Sequence, residues 1–314
     1  LSYAFDNWRD LSGTGAQPSY VLLVGDISLD YKNNLARTSA WINQVPTFIL
    51  YQESSVLAYF ASDNQIAAFR GVDKLPDIHL GRIPVRTLAE SNNVFAKLLN
   101  YTTAPPAGTW RGKGLFIADK GNSAGETGEF ERVQSEVADT FFVSPFTNEK
   151  LYFDEPAYGG GTNSSLFRSD ILARLDSGTA LTSYVGHGAF SIWGLQGYFD
   201  TSHVSLLTAS DQPTFLVNEN CLAGGFHTIG SDTSGSDALG EAFYVHSRGL
   251  YHQRCAPLDP ARTPWARGDL HHPTYRAAFP TEWENYTQRD AYADHAAEGW
   301  GFRTAAGNFP VLTN

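Results

Sequence analysis

The chain has 314 residues, of which 42% are hydrophobic and 18% charged, a composition typical of a globular protein long enough to bury a large core. Its net charge of −11 offers no basic face to phosphates, which argues against a nucleic-acid-binding protein. No stretch of the sequence approaches the run of about 18 apolar residues that a membrane span requires, so none is predicted.

The first third of the chain predicts strands that alternate with helices. Residues 20–26 form a continuous apolar run stopped by Gly-Asp, which is typical of a buried parallel strand. A helix is expected at about 88–101, because Thr87 and Glu90 have the spacing of a capping box. Further strands are predicted at 44–51 and 78–85.

Residues 102–108 contain two prolines and a glycine, which end that helix and predict a boundary between two subdomains. We therefore expect two side-by-side α/β subdomains, 1–105 and 106–250. The second repeats the alternation of strands and helices, which predicts a mostly parallel sheet with helices on both faces. From Tyr251 onward no clean buried strand is found, and 251–314 is left without an assigned fold.

Two predicted strands of the second half end on reactive side chains. One runs from Leu181 into His187, which lies between two glycines, and the other runs from Thr214 to Cys221. Parallel strands that end at the same sheet edge bring their terminal side chains together. An imidazole beside a thiol is the minimum apparatus of a cysteine nucleophile with a histidine base.

The competing interpretation of Cys221 is a buried apolar cysteine, which is the commoner role of a free thiol. The polar stretch 218–220 before it and Gly224-Gly225 after it favour the nucleophile, since they are too polar and too open for a core. The only other cysteine is Cys255. A disulfide between the two is an alternative that would consume the thiol.

The chain resembles the gingipain-type cysteine peptidases, whose fold is similar to that of caspases. The likeness extends from Tyr20 to about Phe243. It rests on these stretches, in chain order: 20–26, 62–63, 71–73, 76–82, 184–188 with Trp193, 201–204, 218–226 and 240–243. The resemblance implies a caspase-like α/β fold and an endopeptidase.

The resemblance also implies roles for single residues. His187 is expected to be the base, Cys221 the nucleophile, and the backbone N–H groups of Gly188 and Cys221 the oxyanion hole. Gly121 stands where Arg-gingipains carry a glutamate, so Asp119, at the end of the 114–119 strand, is the nearest acid and is predicted to orient His187. The alternative for Asp119 is a cap on the following loop.

The acid that reads substrate charge in this family falls near residues 129–132, where Glu131 is the candidate; an exposed helix glutamate is the alternative. Trp193 and Asn220, which belong to matched stretches, are predicted to contact substrate. The chemistry requires no cofactor. The resemblance implies structural calcium, with Asp63, Asp73 and Asp77 as ligands or simply as turn formers.

The function predicted is therefore a cysteine endopeptidase, secreted or at the cell surface, acting on protein or peptide substrates. The alternative is a catalytically inactive peptidase-like module that serves binding or assembly in a surface protein. A zinc-dependent hydrolase is disfavoured, because the histidines lack the spacing of zinc ligands.

Overall fold

The structure is a computed structural model, and it describes residues 1–8, 17–28, 32, 44–51, 59–71, 75–208, 212–227, 237–245 and 249–255. The chain divides into two compact units, of which the first covers Leu1–Pro84 and the second begins at Val85. Among the described residues, no helix combines the length and the apolar character needed to cross a bilayer.

The first unit contains two small sheets and two short helices. Its elements are α1 (Ser2–Asn7), β1 (Tyr20–Val24), β2 (Phe48–Tyr51), β3 (Tyr59–Ser62), α2 (Asn64–Ala67) and β4 (His79–Ile83). β1 pairs in parallel with β4, from Tyr20 opposite His79 to Val24 opposite Ile83. β2 and β3 form an antiparallel pair. The strands predicted in this part of the chain are therefore present, but β1 is not buried as predicted, because Tyr20, Leu22 and Val24 are exposed.

The second unit is built on a five-stranded sheet in the order β12-β11-β7-β5-β6, and every neighbouring pair is parallel. Its helices are α3 (Leu88–Thr103), α4 (Glu129–Phe141), α5 (Ser164–Ser177), α6 (Thr201–Val204) and α7 (Leu239–Val245). The five strands are β5 (Lys113–Ala118), β6 (Thr147–Tyr152), β7 (Leu181–Val185), β11 (Thr214–Asn220) and β12 (Gly249–Cys255). A small antiparallel sheet comprises β8 (Gly188–Ala189), β9 (Ile192–Trp193) and β10 (Phe199–Asp200).

Helices cover both faces of the five-stranded sheet. Successive side chains of a strand point to opposite faces, so one strand contributes to the core on each side. On β5, Leu115 and Ile117 belong to the large core that contains Phe167 of α5, whereas Ala118 packs in a second cluster with Phe130 of α4. All five side chains are fully buried. β5, which is buried on both faces, accordingly has a continuous apolar run at 115–118 rather than an alternating pattern. The chain is thus mixed α/β with a parallel sheet, as predicted.

The division into compact units falls after Pro84, whereas the sequence placed a subdomain boundary after 105. Helix α3 belongs to the second unit, where it packs against α7. The ammonium of Lys97 on α3 donates to the carbonyl of Tyr244 on α7 at 2.6 Å. The proline-containing stretch 102–108 therefore ends helix α3, but α3 and the residues that follow this stretch belong to the same unit.

The structure also corrects the expectation that no strand lies beyond Tyr251. β12 pairs with β11 along its whole length, from Gly249 opposite Thr214 to Cys255 opposite Asn220. Its sequence alternates apolar and polar residues weakly, which hid it among the polar residues that follow. The remainder of the predicted C-terminal segment, 256–314, lies outside the described residues.

Candidate active site

The register of two neighbouring strands brings His187 and Cys221 to the same edge of the sheet. Val185 of β7 lies opposite Glu219 of β11, and the N–H of Gly186 donates to the Glu219 carbonyl at 3.2 Å. His187 and Cys221 each follow that pair by two residues. Because the strands are parallel, both side chains leave the sheet at its carboxyl edge, where ligands bind in such folds. Cys221 is a free, partly exposed thiol.

The turn that carries Cys221 is fixed by its neighbour. The side-chain oxygen of Asn220 accepts the N–H of Ala223 at 3.1 Å. The amide nitrogen of the same side chain lies against Gly188, where an added Cβ would be 2.3 Å from it. Asn220 is only 3% exposed, so its side chain supports the Cys221 turn from the protein interior. This placement corrects the expectation that Asn220 contacts substrate.

The sulfur of Cys221 receives a hydrogen bond from the backbone N–H of Gly188. Burial raises the pKa of the Cys221 thiol, the Gly188 amide opposes that rise, and the negative charge of Glu126 adds to it. The thiol is therefore mostly protonated at neutral pH. A nucleophile in this state needs an adjacent base to remove its proton during attack.

The imidazole of His187 is held by Glu126, whose Oε2 lies 3.2 Å from Nε2. The two side chains are 18% and 24% exposed. The imidazole packs edge to face against Phe130, with the two ring centres 5.3 Å apart. Burial alone would raise the pKa of Glu126, but the N–H of Asn122 and the contact with His187 hold it below its ordinary value. Glu126 is therefore ionised at neutral pH and can stabilise a protonated imidazole.

Sequence reasoning missed Glu126, because it counted along the chain to Gly121. In the structure the loop between β5 and α4 folds back on itself, and an added Cβ on Gly121 would lie 2.6 Å from the backbone of Glu126. The N–H of Asn122 donates to the Glu126 carboxylate at 2.9 Å, which closes the loop. The signal that was available is an acid in a glycine-rich loop directly before the helix that faces His187.

Asp119 has a different contact from the one predicted. It is fully buried, and its carboxylate accepts the backbone N–H of His187 at 3.2 Å and that of Lys120 at 2.9 Å. Burial raises the pKa of Asp119 to about 6, against the lowering effect of these hydrogen bonds and of His187. Asp119 thus contacts the main chain of His187, whereas Glu126 contacts its ring.

Trp193 is part of the core. It is fully buried and stacks on Tyr184 at 4.4 Å and on Phe199 at 5.0 Å between ring centres. A side chain in that position does not reach substrate, so the predicted substrate contact of Trp193 is corrected to a packing role. Its resemblance to the family pattern reflects the core beneath the site.

Glu131 lies near the start of α4 with both carboxylate oxygens buried. Burial raises its pKa to about 7, and the charges of Asp154 and Asp119 act in the same direction. Three acids thus gather beyond the ends of β5 and β6. The role of Glu131 in reading substrate charge stays a prediction.

Two of the three predicted calcium ligands are engaged in contacts within the protein. Both carboxylate oxygens of Asp63 pair with Arg82, at 2.6 and 2.8 Å. The carboxylate of Asp77 accepts two backbone N–H groups, at 2.8 and 2.7 Å. Asp73 lies outside the described residues. Within the described part of the chain, no group of three His, Cys, Asp or Glu side chains is arranged to hold a metal ion, and calcium stays a prediction.

Comparison with known proteins identifies the family of the chain. The model of peptidase family C25 matches residues 1–253. Gingipain R2 and gingipain R1 from Porphyromonas gingivalis are each 24% identical to the chain over 214 residues, which is 68% of its length. The match spans only 25% of gingipain R2 and 18% of gingipain R1.

Solved structures support the fold. The Arg-specific cysteine proteinase gingipain R matches with a TM-score of 0.55 and 21% identity, over 77% of this chain and 48% of that one. A complex of the pro- and mature domains of RgpB from Porphyromonas gingivalis matches with a TM-score of 0.54 and 19% identity, over 82% and 53%. At this level of identity the likeness shows the caspase-like α/β fold.

Proposed function

The chain belongs to peptidase family C25, and we propose that it is a cysteine endopeptidase that hydrolyses peptide bonds through Cys221 and His187. One observation carries the proposal: the free thiol and the imidazole leave adjacent parallel strands in register, with the Gly188 amide on the sulfur. Glu126 supplies the acid behind the ring. A carboxylate, an imidazole and a thiol in this order are the components of a triad.

In the proposed reaction His187 takes the proton of the Cys221 thiol as the sulfur attacks the scissile carbonyl carbon. The carbonyl oxygen becomes an oxyanion, which the N–H groups of Gly188 and Cys221 stabilise. The C–N bond then breaks, and the imidazolium of His187 gives its proton to the leaving amine. Water activated by His187 adds to the thioester, and the S–C bond breaks to release the acid product and the thiol.

The charge states of the resting site fit this sequence of steps. The raised pKa of Cys221 keeps the thiol protonated until substrate is present, and the lowered pKa of Glu126 keeps a negative charge behind His187. An imidazolium formed during attack therefore has a partner at once. Without Glu126 the positive charge would develop in a half-buried position beside Phe130, which is costly.

Glu131 is the proposed reader of substrate charge. Its support is the buried negative potential that it shares with Asp119 and Asp154 beyond the strand ends. A bound guanidinium or ammonium would lower the pKa of Glu131 from about 7 and be held by the ionised carboxylate. On this basis the enzyme prefers a basic side chain next to the scissile bond.

The proposed substrates are proteins or peptides, and the proposed location is outside the cell, secreted or on its surface, in line with the resemblance to gingipain-type peptidases. Because one solved neighbour is a complex of pro- and mature domains, a pro-domain is a further candidate partner. Structural calcium, with Asp63, Asp73 and Asp77 as its predicted ligands, remains part of the proposal.

The test combines thiol labelling with cleavage of a mixed peptide library. Wild-type protein is expected to take up iodoacetamide at Cys221 and to cleave peptides, and both are expected to be lost in Cys221→Ala. His187→Ala should slow labelling at neutral pH and abolish cleavage. Cys255→Ala is the matched control and should leave both intact. Labelling of Cys221 at the same rate in the wild type and in His187→Ala, in a protein that cleaves nothing, would favour the binding or assembly module.

A further inference from the structure

Two tyrosines lie directly beneath the turn that carries His187. Tyr184 and Tyr198 are both fully buried, and their hydroxyl oxygens are 3.0 Å apart. The Tyr184 hydroxyl donates to the carbonyl oxygen of His187 at 2.6 Å. The N–H of Gly194 donates to both of these oxygens, at 2.8 Å to the His187 carbonyl and at 3.1 Å to the Tyr184 hydroxyl. The Tyr198 hydroxyl lies close enough to the carboxylate of Asp119 to lower the pKa of that carboxyl. The three side chains form a continuous series of polar contacts.

This series of contacts meets the backbone of His187 at both ends. Asp119 accepts the N–H of His187 at 3.2 Å, and Tyr184 donates to its carbonyl. The carbonyl of His187 and the N–H of Gly188 belong to one planar trans peptide group, so they point in opposite directions. Fixing the carbonyl therefore fixes the direction of the Gly188 N–H, which is the group bonded to the Cys221 sulfur.

We propose that Asp119, Tyr198 and Tyr184 are positioning residues: a buried relay that holds the peptide group between His187 and Gly188, and so aims the amide hydrogen at the reacting centre. The inference rests on the proposed function where it speaks of an oxyanion. The structural part of the inference is that the relay directs the Gly188 N–H toward Cys221, and this part holds whether or not the protein cleaves peptides.

Packing alone does not account for the two hydroxyl groups. The ring of Tyr184 stacks on Trp193 at 4.4 Å, and the ring of Tyr198 packs on Phe153 at 4.7 Å and on Phe167 at 4.9 Å. A phenylalanine would make the same ring contacts and would avoid burying a hydroxyl, which costs free energy unless it is hydrogen-bonded. The hydroxyls are retained in a site where their partners are the Asp119 carboxylate and the His187 turn.

The relay has three links and only two hydroxyl hydrogens. An ionised Asp119 leaves one link without a hydrogen, whereas a protonated Asp119 supplies the third and completes the chain. Burial raises the pKa of Asp119 to about 6, and the Tyr198 hydroxyl lowers it. The relay therefore changes its hydrogen-bond pattern near pH 6, where Asp119 loses its proton.

The groups that face Asp119 are few. His187 and Lys120 donate their backbone N–H groups, while the ammonium of Lys120 is directed to the Gly161 carbonyl at 2.7 Å. The two tyrosines approach from the core, and the carboxyl of Glu131 acts electrostatically from α4. Among these, removal of the Tyr198 hydroxyl deletes a donor to the carboxylate and is expected to move the titration of Asp119 to higher pH.

The test compares Tyr184→Phe and Tyr198→Phe with Tyr158→Phe. Tyr158 is the matched control, because it is buried in the same core and also donates to a carboxylate. Its partner is Asp170 of α5 at 2.8 Å, rather than Asp119 or the His187 turn. For the two relay variants we expect kcat to fall by about ten- to a hundredfold with little change in KM, because the aimed amide acts on the transition state. The control should keep both constants.

A second measurement does not require cleavage. The Gly188 N–H lowers the pKa of Cys221, so a misdirected amide should raise it and shift the pH profile of Cys221 alkylation to higher pH in Tyr184→Phe. Peptide mapping measures the alkylation of Cys221 at each pH in the wild type and in every variant. Alkylation profiles that coincide for wild type, Tyr184→Phe and Tyr158→Phe overturn the relay. If the profile of Tyr184→Phe is shifted from that of the wild type but the wild type cleaves no peptide, the relay is supported and the peptidase proposal is contradicted.

Discussion

Glu126 Oε2 lies 3.2 Å from His187 Nε2 and joins the loop after β5 to the end of β7. The contact matters because the two residues are 61 positions apart in the chain and meet only through the fold of the glycine-rich loop. It gives the imidazole a fixed orientation and an anionic neighbour. The other ring nitrogen is then the one left to exchange a proton with Cys221.

The first prediction concerns this pair. Glu126→Gln keeps the shape and the acceptor oxygen but removes the charge, so the imidazolium formed during catalysis loses its stabilising partner. We expect kcat/KM to fall by about tenfold or more, with the fold intact. Steady-state kinetics on a cleaved peptide measures this.

Glu136→Gln is the control for that experiment, since Glu136 lies on the adjoining helix α4 and pairs with Arg132 at 3.5 Å on the surface. Its activity should match the wild type. If Glu126→Gln retained full activity at all pH values, the acid behind His187 would have to be sought elsewhere.

The second prediction concerns the space under Gly188. An added Cβ would lie 2.3 Å from the Asn220 amide nitrogen and 3.1 Å from the Ile192 carbonyl. Gly188→Ala must therefore displace Asn220, which holds the Cys221 turn through Ala223. We expect activity to fall by about a hundredfold or more, since small misplacements of reacting groups have effects of this size.

Gly112→Ala is the matched control for the Gly188 variant, because nothing lies within 4 Å of its added Cβ. It should be active and as stable as the wild type. Thermal melts of both variants separate a local displacement from global unfolding. A fully active Gly188→Ala would show that the Asn220 side chain is not part of the turn's support.

The centre of the sheet could be predicted from sequence because β5, β7 and β11 carry apolar, β-forming residues and end in turns. The ends of β7 and β11 were visible in this way, and with them His187 and Cys221. What decides their meeting is the register of the strands, Val185 opposite Glu219, and a single sequence does not encode the register of a parallel pair in any local pattern. The pairing of His187 with Cys221 was therefore predicted with the help of the resemblance to a family.

Other parts of the site were missed because they depend on how loops fold. Glu126 follows Gly121 in sequence but lies over it in space. Trp193 and Asn220 look like binding residues, an aromatic and an amide beside reactive groups, yet both point into the protein and are almost fully buried. Exposure is a property of the assembled core, and motif spacing carries little information about it.

The third prediction concerns Asp63 in the first unit. The Arg82 side chain is 4% exposed and is satisfied by Asp63 and by the carbonyls of Gly25 and Val45, at 2.7 and 2.9 Å. Asp63→Asn removes the charge partner of a buried cation, and we expect a loss of about 3–5 kcal/mol in the free energy of unfolding. Urea denaturation measures it.

Asp139→Asn is the comparison for Asp63→Asn, since Asp139 pairs with Lys150 on the surface and is 60% exposed. Its cost should stay within about 1 kcal/mol. Repeating both melts with calcium and with a chelator tests the predicted calcium role of Asp63. If calcium stabilised the wild type but not Asp63→Asn, Asp63 would be a ligand and the Arg82 pair would not be its main role.

The last prediction uses the raised pKa of Asp119. Burial lifts it from 3.8 to about 6, so between these values the folded protein keeps a proton that the unfolded chain has lost. The stability contributed by this group therefore falls as pH rises from 4 to 6, by about 3 kcal/mol in total, and stays low above pH 6. Asp119→Asn does not titrate and lacks this term.

The measurable quantity is the difference in unfolding free energy between Asp119→Asn and the wild type, taken from urea melts at several pH values. We expect this difference to change by about 3 kcal/mol in favour of the variant between pH 4 and 7, whatever constant offset the lost carboxylate contacts introduce. The same difference for Asp139→Asn should be nearly flat, because that carboxylate is exposed. A flat difference for Asp119→Asn as well would mean that Asp119 titrates at an ordinary pKa, and that its hydrogen bonds to His187, Lys120 and Tyr198 outweigh its burial.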